Sequence, residues 1–219
     1  MRLDGTEAQK QFFFDLVLRG ARIGNAFSEK ASKRATEFTT RLRRAGADHV
    51  LDGEKFYSSG VMFADWIAAV ANDDDGRTAI AFLPADTPGI TRRNDWSSFG
   101  QRTTASGTTL FEAVQVPAQF VVPHQQAFDR PTAMGPLAQI IHAAVDAGIA
   151  RAALDETVRF VRTKSRPWID SGQEKAAEDP YTIADIGRMR TDLHASEAML
   201  ARAGPVSYTH LTLPTNREV

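Results

Sequence analysis

The sequence predicts an α+β protein in which a block of β-strands is followed by long helices, with one short helix ahead of both. Three observations carry this. Phe38, Thr40 and Leu42 alternate with Thr39, Arg41 and Arg43, the period-two pattern of a half-buried strand. Leu137, Ile140, Ile141, Ala144, Val145, Gly148, Ile149 and Ala152 recur at i, i+3, i+4 and i+7, the pattern of a helix face. The two patterns occupy separate parts of the chain, so no βαβ alternation arises. No glycine-rich loop follows a strand to make a Rossmann or P-loop phosphate site.

The elements follow in order. Thr6 with Gln9 reads as a capping box, and the helix it opens runs through Phe12, Phe13, Leu16 and Val17 to Gly20. The strand at 38–43 comes next. Gly46 and the Asp52-Gly53 pair read as turns. Residues 55–59 and 66–71 read as further strands. Residues 72–76, NDDDG, form a solvated turn, because they lack the alternating ligands and distal glutamate of a calcium loop. Residues 78–83 are another strand, closed by Pro84 and Pro88-Gly89, and residues 108–116 are the last, ending at Pro117. The first long helix starts near Pro136 and runs to about Ser165, where Pro167 stops it. A second begins at Pro180, with proline in its first turn, and holds Ile183, Ile186, Met189, Leu193 and Met199. From Pro205 no helix periodicity is visible. The stretch PVSYTHLTLPTNREV resembles a translated sequencing adapter and is set outside the fold.

Composition narrows the function. The 219 residues are 42% hydrophobic and 24% charged, with a formal net charge of -1. That is ordinary globular chemistry without the basic footprint of a nucleic-acid binder. No cysteine is present, which excludes disulfides, thiolate metal sites and a cysteine nucleophile. No two histidines have metal-ligand spacing, so no metal is expected. His142 lies on the apolar helix stripe and reads as a packed residue. No apolar run reaches the roughly 18 residues of a membrane span. Asp4, Glu7 and Lys10 break up any signal-peptide core. A cytoplasmic protein with no membrane or nucleic-acid partner is the expectation.

Three segments mix aromatics with short hydroxyl or amide side chains: residues 24–29 (GNAFSE), 55–60 (KFYSSG) and 96–107 (WSSFGQRTTASG). A flat cofactor with a polar edge needs that mixture, rings to lie on and small polar groups to bond its rim. Taken singly, each segment serves equally well as a turn flanked by core aromatics.

In their order these segments, with residues 83–89 (LPADTPG) and 162–168 (RTKSRPW), resemble the acyl-CoA dehydrogenase superfamily over residues 5–204. The likeness is greatest to its flavin-dependent monooxygenase branch, that of the dibenzothiophene monooxygenases and sulfur-acquisition oxidoreductases. The resemblance implies a central β domain against which flavin lies, between two helical domains, usually in a homotetramer. Residues 1–20 would end the first helical domain, 21–130 form the β domain, and 131–204 begin a truncated C-terminal helical bundle, with 205–219 the adapter-derived tail. Asn25, Phe27 and Ser28 would be the first flavin-contacting strand and Ser58 and Ser59 the second. Asn25 and Ser59 would face the reactive side as catalytic groups. Arg162 or Arg166 would reach a neighbouring subunit's flavin phosphate, which suits a guanidinium fork. Where the dehydrogenases carry aromatic-Ile-Thr-Asn-Gly, this chain has Phe56-Tyr57-Ser58-Ser59-Gly60. The implied activity is a two-component monooxygenase using reduced FMN and oxygen on a small organosulfur compound, with a separate flavin reductase. The alternatives are an FAD-dependent acyl-CoA dehydrogenase and a non-catalytic interaction protein on the same scaffold. On this reading both ends of the chain are cut, and the piece alone is inactive.

Overall fold

A computed structural model describes residues 4–30, 37–129 and 134–212. It divides into two compact units, Met1–Pro131 and Thr132–Val219. In the first, α1 (Glu7–Leu18) starts at the expected capping box: Gln9 N donates to Thr6 Oγ1 at 3.2 Å, and Thr6 N to Gln9 Oε1 at 2.9 Å. Phe13 turns inward to meet Trp66, Phe82 and Phe120, with ring centroids 4.5–6.0 Å apart. Burying it contributes roughly 2 kcal/mol. The Gln9 carboxamide fastens the helix to the carbonyls of Gln119 and Val121, each at 2.9 Å.

Eight strands follow: β1 (Ile23–Ala26), β2 (Arg41–Ala45), β3 (Asp48–Lys55), β4 (Trp66–Asn72), β5 (Thr78–Pro84), β6 (Ile90–Arg93), β7 (Thr108–Val116) and β8 (Val121–Pro123). They form one sheet in the order β6-β7-β3-β2-β4-β5-β8, with β1 beside β4 in parallel. The paired strands β4 and β5 are buried along nearly their whole length, which is why they read as unbroken apolar runs. Ile67, Ala69 and Ala71 face a core with Leu42, Leu51 and Phe111, while Ala68 and Val70 face the aromatic cluster under α1.

Several expectations are corrected. Asp52-Gly53 is not a turn: it lies inside β3, where the register against β7 shifts by a bulge. Gly53, at φ 150, sits so close to Thr40 that an added Cβ would fall 2.7 Å from its Cα. The strand expected at 55–59 ends at Lys55, because Tyr57 takes φ 53 and breaks the ladder. The strand expected from Phe38 begins at Arg41, because the N–H groups of Thr39 and Thr40 bond to Glu29 instead of a neighbouring strand. The short strands β6 and β8 carry too few alternating residues to show in the sequence.

Glu29 and Lys55 form an ion pair inside this unit, 2.7 Å apart with side chains 2% and 0% exposed. Lys55 Nζ also donates to the Phe27 carbonyl at 3.1 Å and lies 4.6 Å from the centre of the Phe38 ring. The Glu29 carboxylate accepts from the N–H and hydroxyl of both Thr39 and Thr40 at 2.6–3.1 Å. Burial alone would push this carboxyl up. The bonds from Lys55, Thr39 and Thr40 outweigh it and hold the group at about 2. Burial pulls Lys55 down, and Glu29 partly restores it.

The first unit closes with the short helix α2 (Gln126–Asp129), and the second unit contains α3 (Met134–Thr163) and α4 (Pro180–Thr212). Leu154 and Leu193 are buried between them, and Arg151 Nε donates to Glu197 at 2.7 Å across the pair. Most of the apolar stripe of α3, Ile141, Val145 and Ile149 included, is exposed within this unit, and so is His142, whose ring bonds only the Ala138 carbonyl of its own helix. The reading of His142 as a packed residue is corrected accordingly. Gly135–Thr163 is long and apolar enough, by length and composition alone, to cross a membrane, which corrects the expectation that no apolar run has that length. The second helix does not stop at Gly204: it runs through Pro205 to Thr212. Proline's fixed φ suits a helix, at the loss of one backbone donor.

Two outcomes follow from the ion pair. Replacing one partner alone, as Lys55→Met or Glu29→Gln, breaks the buried pair, so each should cost about 3–5 kcal/mol in urea unfolding, with the double variant less impaired than the sum. Glu29 is more acidic folded than the usual 4.5, so its contribution is complete above that pH and fades as pH falls towards 2. The urea midpoint should drop between about pH 5 and about pH 3, and Glu29→Gln should flatten that drop.

Candidate functional site

The candidate site is assembled by backbone bonds among three segments that are not regular strands of one ladder. Asn25 N, on β1, donates to the Ser59 carbonyl at 3.2 Å, and Phe56 N donates to the Ser28 carbonyl at 2.8 Å. On the other side Ser58 N donates to the Gly107 carbonyl at 3.1 Å, and Gly60 N to the Thr104 carbonyl at 3.4 Å. Residues 56–60 therefore lie between β1 and residues 104–107. Gly107 permits the close approach: a Cβ there would fall 2.1 Å from the Arg93 carbonyl oxygen. Asp95 seals the same corner by accepting from the Thr108 N–H and hydroxyl at 2.8 and 2.7 Å, which hold its carboxyl below the usual range.

On this frame stand the side chains. Asn25 is exposed, and its carboxamide has no partner among the described residues. Ser59 is exposed, and its Oγ lies 2.6 Å from Oγ of the buried Ser106. Ser106 Oγ lies 2.7 Å from Thr104 Oγ1, which donates to the Gln101 carbonyl at 2.8 Å. Beside them is an aromatic shelf. Tyr57 is exposed, with Phe56 and Trp96 at centroid distances of 4.5 and 5.6 Å. Trp96 Nε1 donates to the same Gln101 carbonyl at 2.9 Å, and Lys30 Nζ sits 3.4 Å from the centre of the Phe56 ring.

Of the residues expected to touch flavin, Asn25, Ser28 and Ser59 are exposed together on this frame. Phe27 packs into the aromatic core behind it. Ser58 is buried at 2% exposure with no partner for its Oγ, so among the described residues it offers a hydroxyl inward rather than to a ligand on the surface. Arg162 lies in the last turn of α3 and Arg166 in the connector after it, both exposed in the second unit. Tyr57, Thr104 and Ser106 lie within the segments of mixed aromatic and polar residues, where residue type alone does not distinguish them. Their roles depend on the positive φ of Tyr57, Gln101 and Ala105, which no side-chain pattern announces. Lys55 did leave a signal: it shares strand parity with buried Leu51, an inward position that demands a partner. An exposed carboxamide, a surface hydroxyl and an aromatic shelf on adjoining segments suit a flat ring with donors and acceptors on its rim.

Comparison with known proteins bears on the family and the fold. The family described as "Acyl-CoA dehydrogenase, C-terminal domain" matches residues 140–214. Dibenzothiophene monooxygenase of Rhodococcus erythropolis is 31% identical over 222 residues, 95% of this chain and 53% of that protein. A probable FMNH2-dependent monooxygenase, SfnC, of Pseudomonas putida is 34% identical over 155 residues, 69% of this chain and 39% of that protein. The crystal structure of FMN-bound TdsC from Paenibacillus sp. A11-2 superposes with a TM-score of 0.84 at 29% identity, covering 100% of this chain and 57% of TdsC. The chain thus spans about half the length of the relatives it matches. With its mixed sheet followed by paired helices, the chain belongs to the acyl-CoA dehydrogenase superfamily and resembles that superfamily's monooxygenase branch.

Proposed function

We infer that the protein carrying this sequence is a flavin-dependent monooxygenase that uses reduced FMN and oxygen on a small organosulfur compound. The observation that carries the reading is the exposed Asn25 on a segment bonded through its backbone to Ser59, whose hydroxyl is at the surface in the same short segment as the exposed Tyr57 ring. Bound there, reduced FMN would supply the electrons that activate oxygen. Tyr57, backed by Phe56 and Trp96, gives the ring a wall and excludes water from one side. Asn25 offers two donors and an acceptor at the ring's rim, and Ser59 fixes the ring from the neighbouring segment. Both are held by their own backbone bond, so little ordering is left to binding. Arg162 or Arg166, from another subunit of a homotetramer, would fork onto the phosphate. A separate reductase would deliver the reduced flavin in the cytoplasm. The sulfur substrate is drawn from the relatives, one of them named for dibenzothiophene. The fold by itself is compatible with other chemistry.

The test uses the complete gene product supplied with reduced FMN, oxygen and dibenzothiophene or a smaller thioether. Oxygenated sulfur product should form. Asn25→Ala and Ser59→Ala should each lower product per flavin oxidised by about tenfold or more, with hydrogen peroxide making up the difference. Bleaching of bound FAD by an acyl-CoA, without oxygenation, would establish the dehydrogenase reading instead. A folded protein that takes up no flavin in either form would be a scaffold without this chemistry.

A further inference from the structure

The chain of hydroxyls behind Ser59 has a fixed direction, and it follows from counting protons. A carbonyl oxygen can only accept. The Gln101 carbonyl lies 2.8 Å from Thr104 Oγ1, so the single Thr104 hydroxyl proton sits between them. Thr104 Oγ1 then has no proton left for Ser106 Oγ, 2.7 Å away, so Ser106 must donate its own. Ser106 is thereby committed, and the 2.6 Å contact with Ser59 Oγ requires the Ser59 proton; the Tyr57 carbonyl, 3.5 Å from Ser59 Oγ, is a far longer second acceptor for it. The result is a one-way relay, Ser59 to Ser106 to Thr104 to the Gln101 carbonyl. Ser106 is 4% exposed, so no solvent dipole competes for its proton. The anchor is built at a conformational cost. Gln101 and Ala105, neither of them glycine, bracket the 3-10 turn Arg102–Thr104 with φ of 51° and 45°. Trp96 Nε1 donates to the same carbonyl at 2.9 Å and holds it in place.

We propose that Ser106 and Thr104 are positioning residues that make Ser59 an obligate hydrogen-bond acceptor, so that this surface selects a ligand with a ring N–H, and reduced over oxidised flavin. This rests on the flavin reading above. The reduced ring carries a central N–H where the oxidised ring has a bare nitrogen. A hydroxyl with its proton turned inward can receive the first and meets the second lone pair to lone pair. A site whose polar group is committed to one role discriminates more sharply than an apolar one can.

The experiment measures dissociation constants of oxidised FMN in air and of reduced FMN under anaerobic conditions, together with the midpoint potential of the bound flavin. The complete gene product is compared with Ser106→Ala, Thr104→Val and Thr104→Ser. Removing Ser106, or removing the acceptor at Thr104, frees a proton for Ser59 to present. Both variants should therefore bind oxidised FMN more tightly relative to reduced by about tenfold. That lowers the midpoint potential by about 30 mV for a two-electron couple. Thr104→Ser keeps the relay and should match the parent. Equal ratios and an unchanged potential in folded Ser106→Ala and Thr104→Val, with flavin still bound, would overturn the inference and leave the flavin reading standing. A parent protein that binds neither form would remove both.

Discussion

The site stands on one buried ion pair. Lys55 occupies an inward position of β3, where an aliphatic residue would have served the core, and Glu29 meets it just beyond β1. Two charges taken out of water are tolerated only when every remaining bonding position is filled. Here the Phe27 carbonyl and the amides and hydroxyls of Thr39 and Thr40 fill them. The consequence reaches beyond stability. The pair, with the bonds from Thr39 and Thr40, ties together the segment just beyond β1, the approach to β2 and the end of β3. Phe56 N and the Ser28 carbonyl then meet on a frame already fixed, and the exposed residues follow from it.

Above that foundation the backbone accepts strain. Tyr57, Gln101 and Ala105 all hold positive φ without being glycine, and all three lie in or beside the site. Such residues cost roughly 1 kcal/mol or more each and persist only where the surroundings over-determine them. The surroundings do so here: residues 56–60 are bonded to β1 on one side and to residues 104–107 on the other. The strain at Tyr57 exposes its ring, and the strain at Gln101 aims a carbonyl at Thr104. A local rule is broken at each point where a side chain or carbonyl is presented for use.

The fold class was legible because it rests on periodicity. The apolar runs of β4 and β5, the capping box of α1 and the helical stripe of α3 all show in the residues themselves. What could not be read depends on backbone dihedrals and distant partners. The Asp52-Gly53 stretch of β3 looks like a turn because Asp-Gly is a turn dipeptide, while the extra residue of the bulge lies opposite it on β7, where Ala113 takes φ 50. The role of Gly53 is set by Thr40 pressing against it, a contact with a residue outside its own strand. Of the candidate site, Asn25 and Ser59 came from likeness to a family, and the structure places them on neighbouring segments. Phe27 and Ser58, one residue from exposed neighbours in each segment, turn into the interior. The alternation that inverts a strand residue also separates Ser58 from Ser59. Ser106 and Thr104 were invisible as partners because a hydroxyl pair 47 residues apart in sequence, such as Ser59 and Ser106, leaves no pattern.

The most direct test of the central claim, that flavin lies on the surface made by Asn25, Tyr57 and Ser59, is a crystal structure of the complete gene product grown anaerobically with reduced FMN. The account predicts ring density against the Tyr57 side chain, with its rim within hydrogen-bond distance of the Asn25 carboxamide and Ser59 Oγ. Well-ordered flavin bound elsewhere, with Asn25 and Ser59 facing solvent, would contradict it.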